Sequence, residues 1–338
     1  MAKGKPSFAR RRLARRRLAL AAGLLLAAPG LAPLQAQEAP YPNRPIQLIV
    51  TVPPGGAADI VARLVAAKLG DALGQAIVVQ NKGGASGTIA TEGVAKAKPD
   101  GYTLLQNAIS THGIGPHLFA QLPYDPVKDF APIGLVAKVP LVLVVHKDVA
   151  AKTVADVVAL AKAAPGTMAY ASPGNGSAPH LTAELFRLLT GTKLLHVPYK
   201  GSGPAVADLS EGRMQMMFDG IPAFLPFIES GKLRPIAAAA PERNKLLPDL
   251  PTFDELGFPG MHVALWYGLV APAGTPQPII ERLNAELNKV LAHSAVREAF
   301  ARQSIDTAPG TPAAFAAFMQ SEMDRWGKVV KDAGIQPE

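Results

Sequence analysis

The sequence contains no cysteine, which removes disulfides, thiolate nucleophiles and thiolate metal sites from consideration. A chain of this length stands without such staples because large domains bury most of their surface. Charge is also sparse, at 18% of residues, and no acidic side chain precedes Glu38. The formal charge of +8 is therefore local. Lys3, Lys5, Arg10, Arg11, Arg12, Arg15, Arg16 and Arg17 open the chain, and beyond residue 36 it carries 26 basic and 26 acidic side chains. A neutral body gives no electrostatic reason to expect a nucleic-acid partner. Long apolar runs are missing too: Leu18 to Ala28 is 11 residues, against about 20 for a membrane-spanning helix.

That short run follows the basic segment and precedes "LAPLQA", the three parts of an export signal. Cleavage is expected after Ala36, leaving 1–36 as a signal peptide and a periplasmic mature protein. "RRRLAL" resembles a twin-arginine signal, and a Sec signal fits as well.

The 338 residues suggest two domains. From Ile46, short apolar runs alternate with amphipathic stretches. "IQLIVTV", "AIVVQ" and "YTLLQ" read as strands, with helices expected at 58–73 and 88–97. This β-α-β-α-β order predicts an α/β fold with a parallel sheet. A second set of the same kind follows "APIGLVAKVPLVLVVH", and a second extended run, "HVALWYGLVAP", precedes a helical region expected over 276–333. Two extended crossings predict two Rossmann-like lobes: 37–137 plus 265–338, and 138–264, with the C-terminal helices on the first.

In open α/β sheets, ligands bind beyond the carboxyl ends of strands, where helix N-termini favour anions. The turns at those positions are rich in glycine and hydroxyls. "TVPPGGAAD" offers Pro54, Gly55 and Gly56, with Asp59 placed to cap the next helix. "NKGGASGT" adds Ala85, Ser86 and Gly87, and "NAISTHG" adds Asn107 and Ser110. "SPGNGSAPH" supplies Ser172, Gly174, Gly176, Ser177 and His180, and "FDGIP" supplies Asp219. Neither G-x-G-x-x-G nor a P-loop spacing occurs, so no nucleotide cofactor is expected. The seven histidines lack H-E-x-x-H, so no metal is expected. G-x-S-x-G is absent, leaving Ser177 with His180 as the alternative, an exported hydrolase without an evident orienting group.

Six ordered blocks, "YPNRPIQLIVTVPPGGAADIVAR", "GQAIVVQNKGGASGTIATEGVAKAKPDGYTLL", "YASPGNGSAPHLTAELF", "HVPYKGSGPAVADL", "LPDLPTFDELG" and "WYGLVAPAGTP", resemble the Bug family, extracytoplasmic receptors of tripartite tricarboxylate transporters. The resemblance implies a two-lobed, type II-like periplasmic binding protein. Such a monomer would hold a small organic carboxylate in the inter-lobe cleft for membrane permease subunits, without catalysis; a solitary sensory binding protein is the other variant. It also implies that Gly55, Gly56 and Asp59 form the first-loop pattern and Gly84 to Gly87 the second. Ser172, Gly174, Gly176, Ser177 and His180 would form the second-lobe pattern, followed by Asp219. Ser86 stands where glycine is common, and Pro53 and Pro54 replace small or aromatic residues.

Overall fold

The computed structural model describes Met1, residues 40–55 and residues 57–337. Residues 2–36 of the expected signal peptide and Gly56 lie outside the described residues. Residues Tyr41–Glu338 form one unit.

The first three strands are β1 (Ile46–Val50), β2 (Ile77–Asn81) and β3 (Thr103–Ala108), with α1 (Ala57–Leu73) and α2 (Thr88–Ala95) between them. Both neighbours of β1 run parallel to it. Its period of two sends Ile46, Leu48 and Val50 to one side, where they pack with Val61, Val65 and Leu69 of α1. Ile49 faces the other side with Ala90 and Val94 of α2. Burial on both faces explains why four of its five residues are apolar, with Gln47 the exposed exception.

After β3 the chain forms a wide π-helical turn, Ile109–Ile114, and the short α3 (Gly115–Leu118). It then enters β4 (Phe130–His146). This strand makes the first crossing: it pairs antiparallel with β9 (Ala264–Pro272) as far as Pro140↔Ala264. From Leu141 onward it pairs with β7 (Met216–Gly220) and β8 (Leu233–Ala238). The Leu141 amide donates to the Val263 carbonyl at 3.0 Å, tying the two crossings together. We propose dividing the lobes at 140/141 and 263/264 instead of the expected 137/138 and 264/265.

In the second set, α4 (Val154–Ala163), β5 (Ala169–Ser172), α5 (Ala178–Thr190), β6 (Leu195–Pro198), α6 (Ser202–Ser210) and α7 (Ile221–Glu229) surround the strands. Here β5 is parallel to β6 and β7. The sheet order is β2-β1-β3-β9-β4-β7-β5-β6, with β8 and β10 (Asp306–Thr307) also on β4. The expected parallel sheet is thus a mixed one, because each crossing strand enters antiparallel to its neighbours.

The closing region is not continuous helix. α8 (Gln277–Ala292) and α9 (Ser294–Ala301) are followed by β10 and then α10 (Pro312–Asp332). "APGTP" explains the break: Thr311 accepts the Ala314 amide at 3.1 Å as an N-cap, and Pro312 occupies the first helical position. α10 also touches α5 of the second lobe. One apolar cluster runs through both lobes, joining Trp266, Phe315 and Trp326 to Leu143, Phe186 and Phe218.

Candidate functional site between the lobes

The three first-lobe turns converge because small residues let them. A β-carbon built on Gly87, at φ +88°, would lie 2.8 Å from Thr51 Cβ and 3.1 Å from Thr111 Cγ2. One built on Gly83 would lie 3.3 Å from Pro53 Cδ. Gly55 (φ +98°) and Gly84 (φ +117°) instead face open space. The opposing loop meets them: a β-carbon on Gly176 (φ +70°) would fall 2.3 Å from Leu118 Cδ1 of α3. The carboxyl ends of the two lobes' parallel strands therefore face each other.

Asp59 is buried in the first turn of α1. One oxygen accepts the Gly55 amide and Arg63 Nε, each at 3.0 Å, and the other accepts Asn81 Nδ2 at 2.9 Å. Burial opposes its charge, but these bonds and the Arg63 cation outweigh burial and hold the carboxyl below its ordinary range. Both oxygens accept protein donors, so Asp59 braces the first loop against β2 from the first turn of α1. The Gly55 amide is the one that Asp59 accepts. Amides at the start of α1 remain as donors from this loop, and the buried Gln106 holds that start through the Ala58 carbonyl at 2.8 Å. Pro54 and Gly55 stay exposed.

Ala85 to Gly87 form a short 3-10 turn with Ser86 in the left-handed region, φ +53°. Glycine at this position would carry no such strain. Ser86→Gly is expected to raise stability by up to about 1.5 kcal/mol: left-handed strain of about 1–2 kcal/mol outweighs glycine's extra chain entropy of about 0.5–1 kcal/mol. Scanning calorimetry checks this, and a clear loss of stability means the hydroxyl holds the turn.

Asn107 does not reach the cleft. Fully buried, it donates to Met319 Sδ of α10 at 3.1 Å. The alternation of β3 turns Gln106 to the α1 side and Asn107 to the α10 side. Ser110 sits half-buried in the π-turn, while Thr111 makes the contact with the second loop.

In the second lobe the loop satisfies itself. Ser177 caps α5, accepting the His180 amide at 3.3 Å and donating to the Gly174 carbonyl at 2.8 Å. His180 Nδ1 accepts the Gly176 amide at 3.1 Å. Ser172, wholly buried, accepts the Gly174 amide at 3.2 Å and lies 2.7 Å from His196 Nε2. The expected supply of free hydroxyls is thus smaller than the sequence implies, because Ser172 and Ser177 hold the loop in shape. Ser177 also makes no bond to the His180 ring, which departs from the hydrolase alternative.

Asp219 is the penultimate residue of β7 and is buried, accepting Ser202 Oγ at 2.7 Å and the Gly220 amide at 2.8 Å. A β-carbon on Gly220 would lie 2.9 Å from Val139 Cγ1 and 3.9 Å from Leu265 Cδ1, which places Asp219 at the foot of both crossings. Burial pushes its carboxyl up to about 6 despite those bonds. A raised folded pKa means the contribution to stability is present below about 3.8 and lost as pH rises through about 6. Asp219→Asn should therefore gain on the wild type between pH 4 and pH 8, by up to about 3 kcal/mol. Thermal denaturation of both proteins at the two pH values reads this; an unchanged difference would show that Asp219 does not titrate there.

Residues 61–335 match the tripartite tricarboxylate transporter family receptor. The chain belongs to that receptor family. It is 42% identical to Protein BugT of Bordetella pertussis over 95% of this chain and 98% of that one. Among solved structures, the R. palustris protein Rpa4515 with adipate matches at TM-score 0.83 and 37% identity, covering 88% of this chain and all of the other. MatC from Rhodopseudomonas palustris with bound malate matches at 0.78 and 36%, covering 86% and 100%. These receptor structures share the two-lobed architecture of periplasmic binding proteins. Of the residues that brace or meet these loops, Gln106, His196 and Leu118 escaped the sequence; only the position of Gln106 and His196 near strand ends hinted at them.

Proposed function

We propose that this chain is a periplasmic receptor that closes its two lobes on a small carboxylate and presents it to membrane subunits of a tripartite transporter. One observation carries the reading: two sets of strand-to-helix turns face each other, contacting at Gly176 and Leu118, in a chain of this receptor family. An exposed helix N-terminus contributes only about 0.3–1 kcal/mol toward an anion, and up to about 2 when partly buried. Useful affinity therefore needs several turns acting together in a water-excluding cleft, which lobe closure supplies. Adipate and malate, bound by the two R. palustris relatives, are the first acids to try. Capture without catalysis fits a Ser177 and His180 that serve the loop. Among the described residues no helix is long and apolar enough to cross a membrane. Export through the basic N-terminal signal, by Tat or Sec with cleavage after Ala36, fits this placement.

A thermal-shift panel of mono-, di- and tricarboxylates tests the reading. An acid at 100 times its Kd adds about 2.7 kcal/mol of stability. Stabilisation by one or more acids, without turnover, is expected; turnover of an acid or ester, with no acid stabilising the fold, would overturn it.

A further inference from the structure

We propose that His196 is a positioning residue for the second-lobe half of the cleft, an inference that rests on the receptor reading. His196 lies on β6, one strand away from the loop it serves. Its ring stacks on His180 at 4.0 Å and 7° and on Tyr170 at 4.8 Å and 15°. Its Nε2 is 2.7 Å from Ser172 Oγ. Because that hydroxyl already accepts the Gly174 amide, its own proton goes to the shorter partner, His196 Nε2. One imidazole thereby grips the loop twice: directly at Ser172, and through the stacked ring at His180, which holds the Gly176 amide.

The arrangement needs both rings neutral. Two imidazolium rings at 4.0 Å would repel, and a protonated His180 Nδ1 could not accept from Gly176. Burial keeps both below the ordinary histidine range. The nearby charges are arranged elsewhere: Glu184 accepts the Tyr170 hydroxyl at 2.7 Å and pairs with Arg187 at 2.7 Å. On the first-lobe elements packed against α5, Glu322 is engaged with Trp266, Trp326 and Arg325. There His117 bonds the Met323 carbonyl, and His112 bonds Thr111. With His180 Nδ1 accepting, its proton sits on Nε2. That donor has no partner among the described residues, on a side chain at the edge of the loop, and His196 sets the plane in which it points.

His196→Phe keeps a flat ring for the stack but removes the nitrogen, whereas His196→Gln keeps an acceptor for Ser172. Two readouts separate this inference from the receptor reading. In ligand-free protein, NMR solvent exchange of the Gly174 and Gly176 amides is expected to accelerate about tenfold in His196→Phe and to stay near wild type in His196→Gln. With adipate and malate as calorimetric probes, the Phe variant should bind about tenfold more weakly and the Gln variant should recover most of the loss. Unchanged exchange in His196→Phe overturns the positioning role whether or not either acid binds. Accelerated exchange in a protein that binds neither acid supports the role and counts against the ligand class alone. Equal exchange and equal loss of binding in both variants overturns the role in favour of generic packing.

Discussion

Gly176→Val is expected to abolish useful capture while the protein stays folded. The acid that most stabilises the wild type should bind about 100-fold more weakly, a loss of about 3 kcal/mol. Two causes add. Gly176 sits at φ +70°, where a β-branched residue is strained, and its β-carbon would enter the space of Leu118 Cδ1, 2.3 Å away. The strain acts in open and closed forms alike, but the collision exists only where the second-lobe loop meets α3. It therefore biases the lobes apart, and a ligand that binds the closed form loses that difference. A fold worth about 5–15 kcal/mol tolerates local strain of this size. Adding Leu118→Ala should restore part of the affinity by emptying the contested space. Calorimetry on the single and double variants reads both effects, and a Gly176→Val protein with wild-type affinity would mean that the contact is irrelevant to capture.

Glu322→Leu is expected to cost about 2–6 kcal/mol of folding stability. Glu322 of α10 accepts the indole N–H of Trp266, in β9, at 3.0 Å and that of Trp326 at 3.2 Å through one oxygen. All three side chains are buried. Leucine would leave two buried donors without an acceptor, at about 1–3 kcal/mol each. Glu322→Gln keeps one carbonyl oxygen and should lose less. The sequence holds two tryptophans, both on this carboxylate, so intrinsic fluorescence during guanidinium unfolding reports directly on the joint between the return crossing and the last helix. A Leu variant as stable as the wild type would show that the indoles find other partners.

Local rules made much of this fold legible. The apolar runs of β1 and α1 keep their period because each packs on the other, and the glycines of the turns mark places where backbones approach or φ is positive. Even the break before α10 was written as Pro-Gly-Thr-Pro, though amphipathic stretches on both sides masked it. Roles set by distant partners were not legible. Asp59 has the right place for a helix cap, yet its function depends on Asn81, 22 residues on, and on Arg63. Ser172 looks like a ligand hydroxyl until His196 arrives from the next strand. Asn107 and Gln106 are neighbours with similar chemistry, and only the pleat of β3 decides which one supports the cleft. The π-turn after β3 has no simple sequence signature, and it carries Thr111 into the meeting point of the loops.

The most direct test of inter-lobe capture is a crystal structure with the acid that gives the largest thermal shift. The expected result is a carboxylate within about 3 Å of amides at the starts of α1 and α2, with the rest of the molecule facing Ser172–His180 across the cleft. Density for the acid outside the cleft would contradict the account, for instance in the hollow of about 450 Å³ lined by Leu246, Pro248 and Leu250 in the second lobe.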